Sequence, residues 1–308
     1  MTSVTAPARA AASVVLPMLA TMAAMACFQV GAAFAKSMFP AVGPIGAATL
    51  RLGLGAAILV VVVRPWRNWP RPAPVLALLG LGVATSGAVV MFYLAQSRLP
   101  LAVAISLQFL GPLAVAVFGS RRATDLTWAA LAAGGVWLLV GVGAGGPRGA
   151  GVDPLGIVFA LCAAVNWATY ILCGRIAGAA FKGSTSALAS TIAALVVLPI
   201  GLAQAGPAMF APALLPIALL VALLSTVVPF SLELYAMPRL PARTFATFTS
   251  LEPAFGVVSG LLLLGQHLAA SQIGGVAAVI VAAAGAAWSS AAKTPPPDPG
   301  ALVEAPLD

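Results

Sequence analysis

The chain has 308 residues, 61% of them hydrophobic and only 7% charged, with a formal net charge of +8. Soluble domains carry about 25% charged residues, so this composition excludes an ordinary water-soluble domain and points to lipid as the solvent. The basic residues stand singly at the ends of apolar runs, without aromatic interleaving, which sets aside nucleic-acid binding.

A helix needs roughly 20 apolar residues to cross the hydrocarbon core, and the long Ala/Leu/Val runs lack barrel-like alternation. The expected fold class is therefore an all-α membrane protein with ten transmembrane helices. Residues 1–12 read as a polar tail. Ala33-Phe34-Ala35 resembles a signal-cleavage site, but the run at 13–35 is too long for a signal core and reads as the first span. The second span falls at 42–63, followed by a basic connection from Arg64 to Pro72. Spans three, four and five fall at 73–95, 101–118 and 125–143, with Arg121 and Arg122 ending the fourth. A Gly-rich stretch including 146–153 connects to spans six to ten at 154–175, 185–203, 213–235, 242–264 and 270–290. Residues 291–308, rich in proline, read as a disordered tail.

Charge then orients the chain. Arg9, Arg64, Arg67, Arg71, Arg121, Arg122, Arg175, Lys182, Arg239, Arg243 and Lys293 fall on the side of the termini; only Lys36, Arg98 and Arg148 fall opposite. The positive-inside rule makes both termini cytoplasmic. Arg98-Leu99-Pro100 with Pro112 recurs as Arg239-Leu240-Pro241 with Pro253, an offset of 141 residues, from Pro100 to Pro241. The repeats are 13–145 and 154–290. Five spans in each half is an odd number, so the second copy is expected to be inverted, an architecture recurrent among secondary transporters.

Of the seven acids, only Glu233 and Glu252 lie in apolar runs. An ionisable group at such depth usually faces a cavity or a partner. Both are candidates for proton coupling or for pairing with a substrate ammonium; a structural ion pair or interhelical hydrogen bond is the plainer alternative. Pro253 lacks an N–H for the carbonyl of Thr249, and Pro112 lacks one for that of Gln108, so a kink beside an open acceptor is expected in each half. Asn166 and Tyr170 share a stripe on span six, and Gln29 is Tyr170's counterpart on span one. Thr226 and Glu233 lie in line on span eight. Gln29, Tyr93, Gln108, Asn166, Tyr170, Thr226 and Thr249 are thus candidates to hydrogen-bond a substrate, with packing as the alternative for each. Lys36 and Arg51 can attract a carboxylate, or can snorkel or pair structurally. Cys27, Cys162 and Cys173 read as packing residues. His267 is the only histidine. No metal site, P-loop, cofactor site or catalytic constellation is evident, so an enzyme is not expected.

Phe34-Ala35-Lys36-Ser37-Met38-Phe39-Pro40, Leu50-Arg51-Leu52, Gly111-Pro112-Leu113-Ala114-Val115-Ala116, Leu224-Ser225-Thr226-Val227-Val228-Pro229-Phe230-Ser231-Leu232-Glu233 and Leu251-Glu252-Pro253 occur in this order. The set resembles EamA-type members of the drug/metabolite transporter superfamily, over nearly all of 16–288. The resemblance implies two inverted five-helix repeats around a central cavity, a bacterial inner-membrane location, and proton-driven efflux of small neutral amino acids such as threonine and homoserine. Its partners are then the substrate, protons and the bilayer. One departure is Gly265-Gln266, where relatives often carry Gly-Glu, which puts any role of that turn in doubt. Alternatives are efflux of another metabolite or drug, uncoupled passage, or a non-transporting assembly or sensory partner.

Overall fold

The computed structural model describes residues 5–67, 73–118, 123–140, 153–236, 239–240 and 242–291. Arg71, Arg121, Arg122, Arg148 and Lys293, the connection at 146–153 except Asp153, and the tail from 292 lie outside them. The described residues form helices α1 (Thr5–Ser37), α2 (Phe39–Val63), α3 (Val75–Gln96), α4 (Leu101–Gln108), α5 (Leu110–Phe118), α6 (Ala123–Val140), α7 (Pro154–Phe181), α8 (Thr185–Ala205), α9 (Leu215–Ala222), α10 (Val228–Ala236), α11 (Ala242–Thr249), α12 (Glu252–Leu264) and α13 (Ala270–Ala291). No strand occurs among them. Eight segments are long and apolar enough to cross a membrane. One, Pro154–Phe210, contains both α7 and α8, and the shorter apolar stretch Leu126–Leu139 lies in α6. Leu76 and Leu262 are 85% and 74% exposed, which suits a lipid-facing surface. The chain is a multi-pass membrane protein.

The first helix starts at Thr5, earlier than the sequence reading placed it. Gly43 interrupts α2 at φ 68°, a conformation that glycine adopts without a Cβ penalty, and Pro44 restarts the helix. Three spans expected to be continuous are broken. The fourth divides at Phe109 into α4 and α5, and the ninth divides at Ser250-Leu251 into α11 and α12. The eighth carries a π-turn at Leu223–Val227 between α9 and α10. Two of these breaks fall immediately after Gln108 and Thr249, the residues whose carbonyls Pro112 and Pro253 cannot serve. Pro253 sits at the start of α12, where a missing N–H costs little, and Pro112 is the third residue of α5. Thr249 ends α11.

All eight residues of α4 are buried. A helix covered on every side belongs at the centre of its bundle; α4 packs against α3, α7, α12 and α13. Around it, α3 packs on α7, α2 on α8, and α6 on α13. These pairs run antiparallel. Gly80 faces Cys173 while Gly156 faces Leu99; Gly46 faces Ala205 while Gly201 faces Thr49; Gly135 faces Gly275 while Gly285 faces Trp128. Small residues let transmembrane backbones approach closely.

Gly111 shows how tight the approach is: a Cβ there would run into the Ala164 carbonyl of α7. Gly111→Val is predicted to destabilise the protein by about 1–3 kcal/mol, the usual cost of overpacking. Gly134→Ala, whose added Cβ meets nothing within 4 Å, should leave stability intact. Thermal midpoints of the detergent-solubilised variants test both; equal midpoints for the two would contradict the α5–α7 contact.

Candidate functional site

Glu252 occupies the start of α12 because the chain turns at Ser250-Leu251, with Leu251 N–H donating to Phe248 O at 3.0 Å. The positive end of a helix dipole favours a carboxylate there. Glu252 is only 6% exposed. Gln29 reaches it from α1, its Nε2 donating to Glu252 Oε1 at 2.9 Å. Gln29 Oε1 has no donor among the described residues. One turn further along α12, a Cβ on Gly256 would lie 2.7 Å from Ile105 Cγ2 and 3.5 Å from Gln29 Oε1. Glycine there lets α12 close on α4 and leaves room for the amide.

A second buried group forms where α2 meets the π-turn. Arg51 Nη2 donates to Ser225 O at 2.8 Å, and Nη1 donates to Tyr93 Oη at 3.3 Å. The guanidinium also lies 5.6 Å from the Tyr93 ring centre, within cation–π range. π-Turns loosen the regular hydrogen-bond ladder and recur at functional sites. Ser225 and Thr226, both on the turn, are fully or almost fully buried. Glu252 lies within electrostatic range of Arg51.

A cavity of about 570 Å³ lies beside this core. Thr85 of α3, Tyr170 of α7, Ser190 of α8, and Phe230 and Glu233 of α10 line it. Arg175 and Lys182, near the C-terminal end of α7, border the same cavity. Glu233 is in turn within electrostatic range of Glu252.

A surface recess bounded by Lys36, Phe39, Leu94, Ser97 and Arg98 lies at the other end of α7. Arg98 Nη1 donates to Asp153 Oδ2 at 2.8 Å, and Asp153 Oδ1 caps α7 by accepting from Leu155 N–H at 2.9 Å. The Arg98 hydrogen bond, with help from the Leu155 N–H, holds the Asp153 carboxyl below its ordinary value of 3.8. At this end Gln266 Oε1 accepts the Leu101 N–H at 2.9 Å, and Gln96 Nε2 donates to Ala32 O at 2.8 Å. The neutral Gln266 thus serves an otherwise unpaired amide in the first turn of α4, which gives the Gly265-Gln266 turn a role.

The structure brings together Gln29, Glu252, Arg51, Tyr93 and Thr226 in the buried core, and Tyr170 and Glu233 in the adjoining cavity. It separates Lys36, which faces the recess at the other end. Asn166 donates to its own helix at Cys162 O, 2.9 Å, and its amide packs on Gly87, so it serves the α3–α7 contact. Gln108 is buried at the end of α4, and Thr249 is half-buried at the end of α11. The sequence offers Gln96 as a polar group on the third span and marks Gln266 as a departure of doubtful role, but it gives no role to Ser225 and no partner to any of the three. Serine and glutamine are common in spans as interhelical donors, and nothing in their spacing marks the π-turn or the distant helix start they serve. Among the described residues no group of three or more His, Cys, Asp or Glu could hold a metal ion.

A family model described as the EamA-like transporter family matches residues 154–288. The threonine/homoserine exporter RhtA of Escherichia coli K12 is 45% identical over 258 residues, covering 84% of this chain and 86% of that protein. The protein of the same name from Salmonella typhimurium LT2 matches at the same identity and coverage. One solved crystal structure aligns with a TM-score of 0.57 over 89% of this chain and 98% of its own, at 20% identity, a likeness of fold alone.

Two predictions follow from this geometry. Gln29→Leu leaves the Glu252 carboxyl buried without its donor and should cost about 1–3 kcal/mol; an unchanged thermal midpoint would sink the assignment. Asp153, with its folded pKa lowered, contributes stability above its ordinary value, and this is lost as pH falls through the lowered one. Asp153→Asn should therefore be less stable than the parent above pH 3.8 and converge with it in stronger acid. Midpoints that run parallel across that range would show the ion pair to be inert.

Proposed function

The chain belongs to the EamA-like transporter family, and from that membership we propose that it is a secondary active exporter of small neutral amino acids, threonine and homoserine among them. The relatives' names supply the substrate class. The observation that carries the reading is the buried pairing of Gln29 with Glu252, within electrostatic range of Arg51 and beside the cavity lined by Glu233. A zwitterion needs an anion for its ammonium and a cation for its carboxylate, and this core offers both. Glu252 or Glu233 takes the ammonium or the coupling proton. Arg51 or Lys36 draws the carboxylate, and the placement of Arg51 beside the core favours it over Lys36, which lies at the recess. Tyr93, Gln108, Tyr170, Thr226 and Thr249 remain as substrate hydrogen-bonding groups; Asn166 is the weakest of the set because its amide is turned to its own helix.

The Gln29 amide suits proton exchange. Its Nε2 donates to the carboxylate as it stands. Its Oε1, without a donor, can accept from Glu252 once the carboxyl is protonated. The Glu252 carboxyl therefore has a hydrogen-bond partner in either protonation state, as a carrier that alternates between proton and substrate requires.

Alternating access follows from two inverted five-helix repeats rocking against each other. Several observations support that architecture. Adding the 141-residue offset to α4, residues 101–108, gives 242–249, the bounds of α11. The equivalent pairs α2–α8 and α6–α13 lie side by side and antiparallel. Exchanging the halves turns the α3–α7 contact into that of α1 with α10, which is also made. Separating α7 from α8 and adding α6 to the apolar segments supports ten spans. The charge bias supports cytoplasmic termini in the inner membrane of a bacterium, with the cavity beside Arg175 and Lys182 opening inward.

Glu252→Gln should abolish threonine accumulation driven by an imposed pH gradient in proteoliposomes. Uncoupled exchange of threonine across the same membrane should persist. Gradient-driven transport at the parent rate in this variant would remove Glu252 from the coupling step, and failure of the parent to move any amino acid would overturn the export reading.

A further inference from the structure

We propose that the π-turn at Ser225-Thr226 and the guanidinium of Arg51 form the subsite that receives the substrate's carboxylate, on the far side of Phe230 from the cavity. The inference rests on the amino-acid export reading and adds to it the residues that recognise the acid group.

Three hydrogen-bond donors in this small region have no acceptor among the described residues: Arg51 Nε, Ser225 Oγ and Thr226 Oγ1. All three atoms are buried. Buried donors without partners are uncommon and costly, and each calls for an explanation. A serine or threonine in a helix ordinarily bonds the carbonyl four residues back, as Thr49, Ser106 and Thr191 do in this protein. Ser225 and Thr226 have no such bond. The π-turn changes the pairing of the backbone at these residues.

The three donors belong to one place. Arg51 holds the Ser225 carbonyl at 2.8 Å, and Thr226 is the next residue. Thr226 packs on Gly55, one helical turn from Arg51 along α2, where an added Cβ would lie 2.9 Å from its Cγ2. Ser225 Oγ is turned towards Gly31 of α1, where a Cβ would overlap it. Glycines at these two positions let α1 and α2 close directly on Ser225 and Thr226. A guanidinium N–H and two hydroxyls on neighbouring residues are the kinds of donor that suit a carboxylate, which accepts several bonds and has none to give.

The opposite charge is supplied nearby. Glu252 is within electrostatic range of Arg51, so the two supply charges of opposite sign to the ends of a zwitterion. Access comes from the cavity. Phe230 lines it and lies one turn from Thr226 on the same helix face. Phe230 packs edge-on against Phe28, with ring centres 6.0 Å apart, and Phe28 adjoins Gln29. The two rings separate the cavity from the buried donors, and a substrate passes by displacing Phe230.

The test compares threonine with threoninol, which keeps the ammonium and the side-chain hydroxyl but replaces the carboxylate with a hydroxymethyl group. Full-length protein in proteoliposomes is loaded with threonine, and each compound competes for exchange. The parent should prefer threonine by about tenfold or more, the scale of charged hydrogen bonds. Arg51→Met and Ser225→Ala should lower the affinity for threonine and leave that for threoninol unchanged, so that the preference narrows or disappears. Ser225→Ala should do so with a thermal midpoint equal to or above the parent's, because it removes a buried hydroxyl that has no partner; a merely structural serine would not combine these results. If Arg51→Met does not fold, Ser225→Ala and Thr226→Val carry the comparison. Full retention of the preference in the folded variants overturns the subsite and leaves amino-acid export standing. A parent that exchanges neither compound overturns the export reading itself, and the subsite with it.

Discussion

A carboxyl group in the middle of an apolar bundle must be given a partner, and the core of this protein is arranged around that requirement. Glu252 has been taken out of water, where an uncompensated charge costs several kcal/mol. Three features meet the cost together. The chain breaks before Glu252, so the carboxyl lies at the start of α12 rather than midway along a helix. Gln29 donates to it from α1. Gly256, one turn on, lets α4 approach without crowding the amide. Loss of any one would leave a polar atom exposed to hydrocarbon or a helix displaced.

The same constraint explains why the irregular parts of the backbone lie where they do. Lipid offers no hydrogen bonds, so breaks in a spanning helix are tolerated only under the cover of other helices or beside water. Phe109, Ser225 and Ser250, one from each interruption, are all buried. Each interruption also presents something a regular helix cannot. The π-turn presents the Ser225 carbonyl to Arg51, and the α11–α12 break presents the Glu252 carboxyl to Gln29. The α4–α5 break precedes Gly111, which lets α5 lie directly on the backbone of α7.

Under the proposed repeat the two halves share a frame and differ in chemistry. Glu252 corresponds to Gly111, Gln29 to Tyr170 and Arg51 to Ile192. The differences are physical. At Gly111 the contact with Ala164 leaves no space for a side chain of any kind. Ile192 packs against Gly82 of an unbroken α3, where no spare carbonyl is offered. Arg51 meets the π-turn instead. The buried ionisable groups are thus concentrated in one set of contacts; in the other half Gly111 and Ile192 are close-packed, while Thr85 and Tyr170, the counterparts of Thr226 and Gln29, line the cavity.

The sequence by itself determined the solvent, the helical class and the placing of most spans, because a bilayer demands long apolar runs and these leave little ambiguity in composition. It also marked Glu252, since an acid stands out in such a run, and the proline frame that the helix breaks follow. It pointed to the neighbourhood of two breaks, beside the carbonyls of Gln108 and Thr249 that Pro112 and Pro253 cannot serve, but not to the π-turn at Leu223–Val227. Nor did it distinguish Arg51 from Lys36, or give the partners of Ser225, Gln96 and Gln266. Each of these acts on a group from a distant part of the chain: a carbonyl on a π-turn, a carbonyl on α1, an amide at the start of α4. Such partners are chosen by how the helices cross, and that is decided by side-chain packing between segments far apart in sequence, which only the tertiary structure contains.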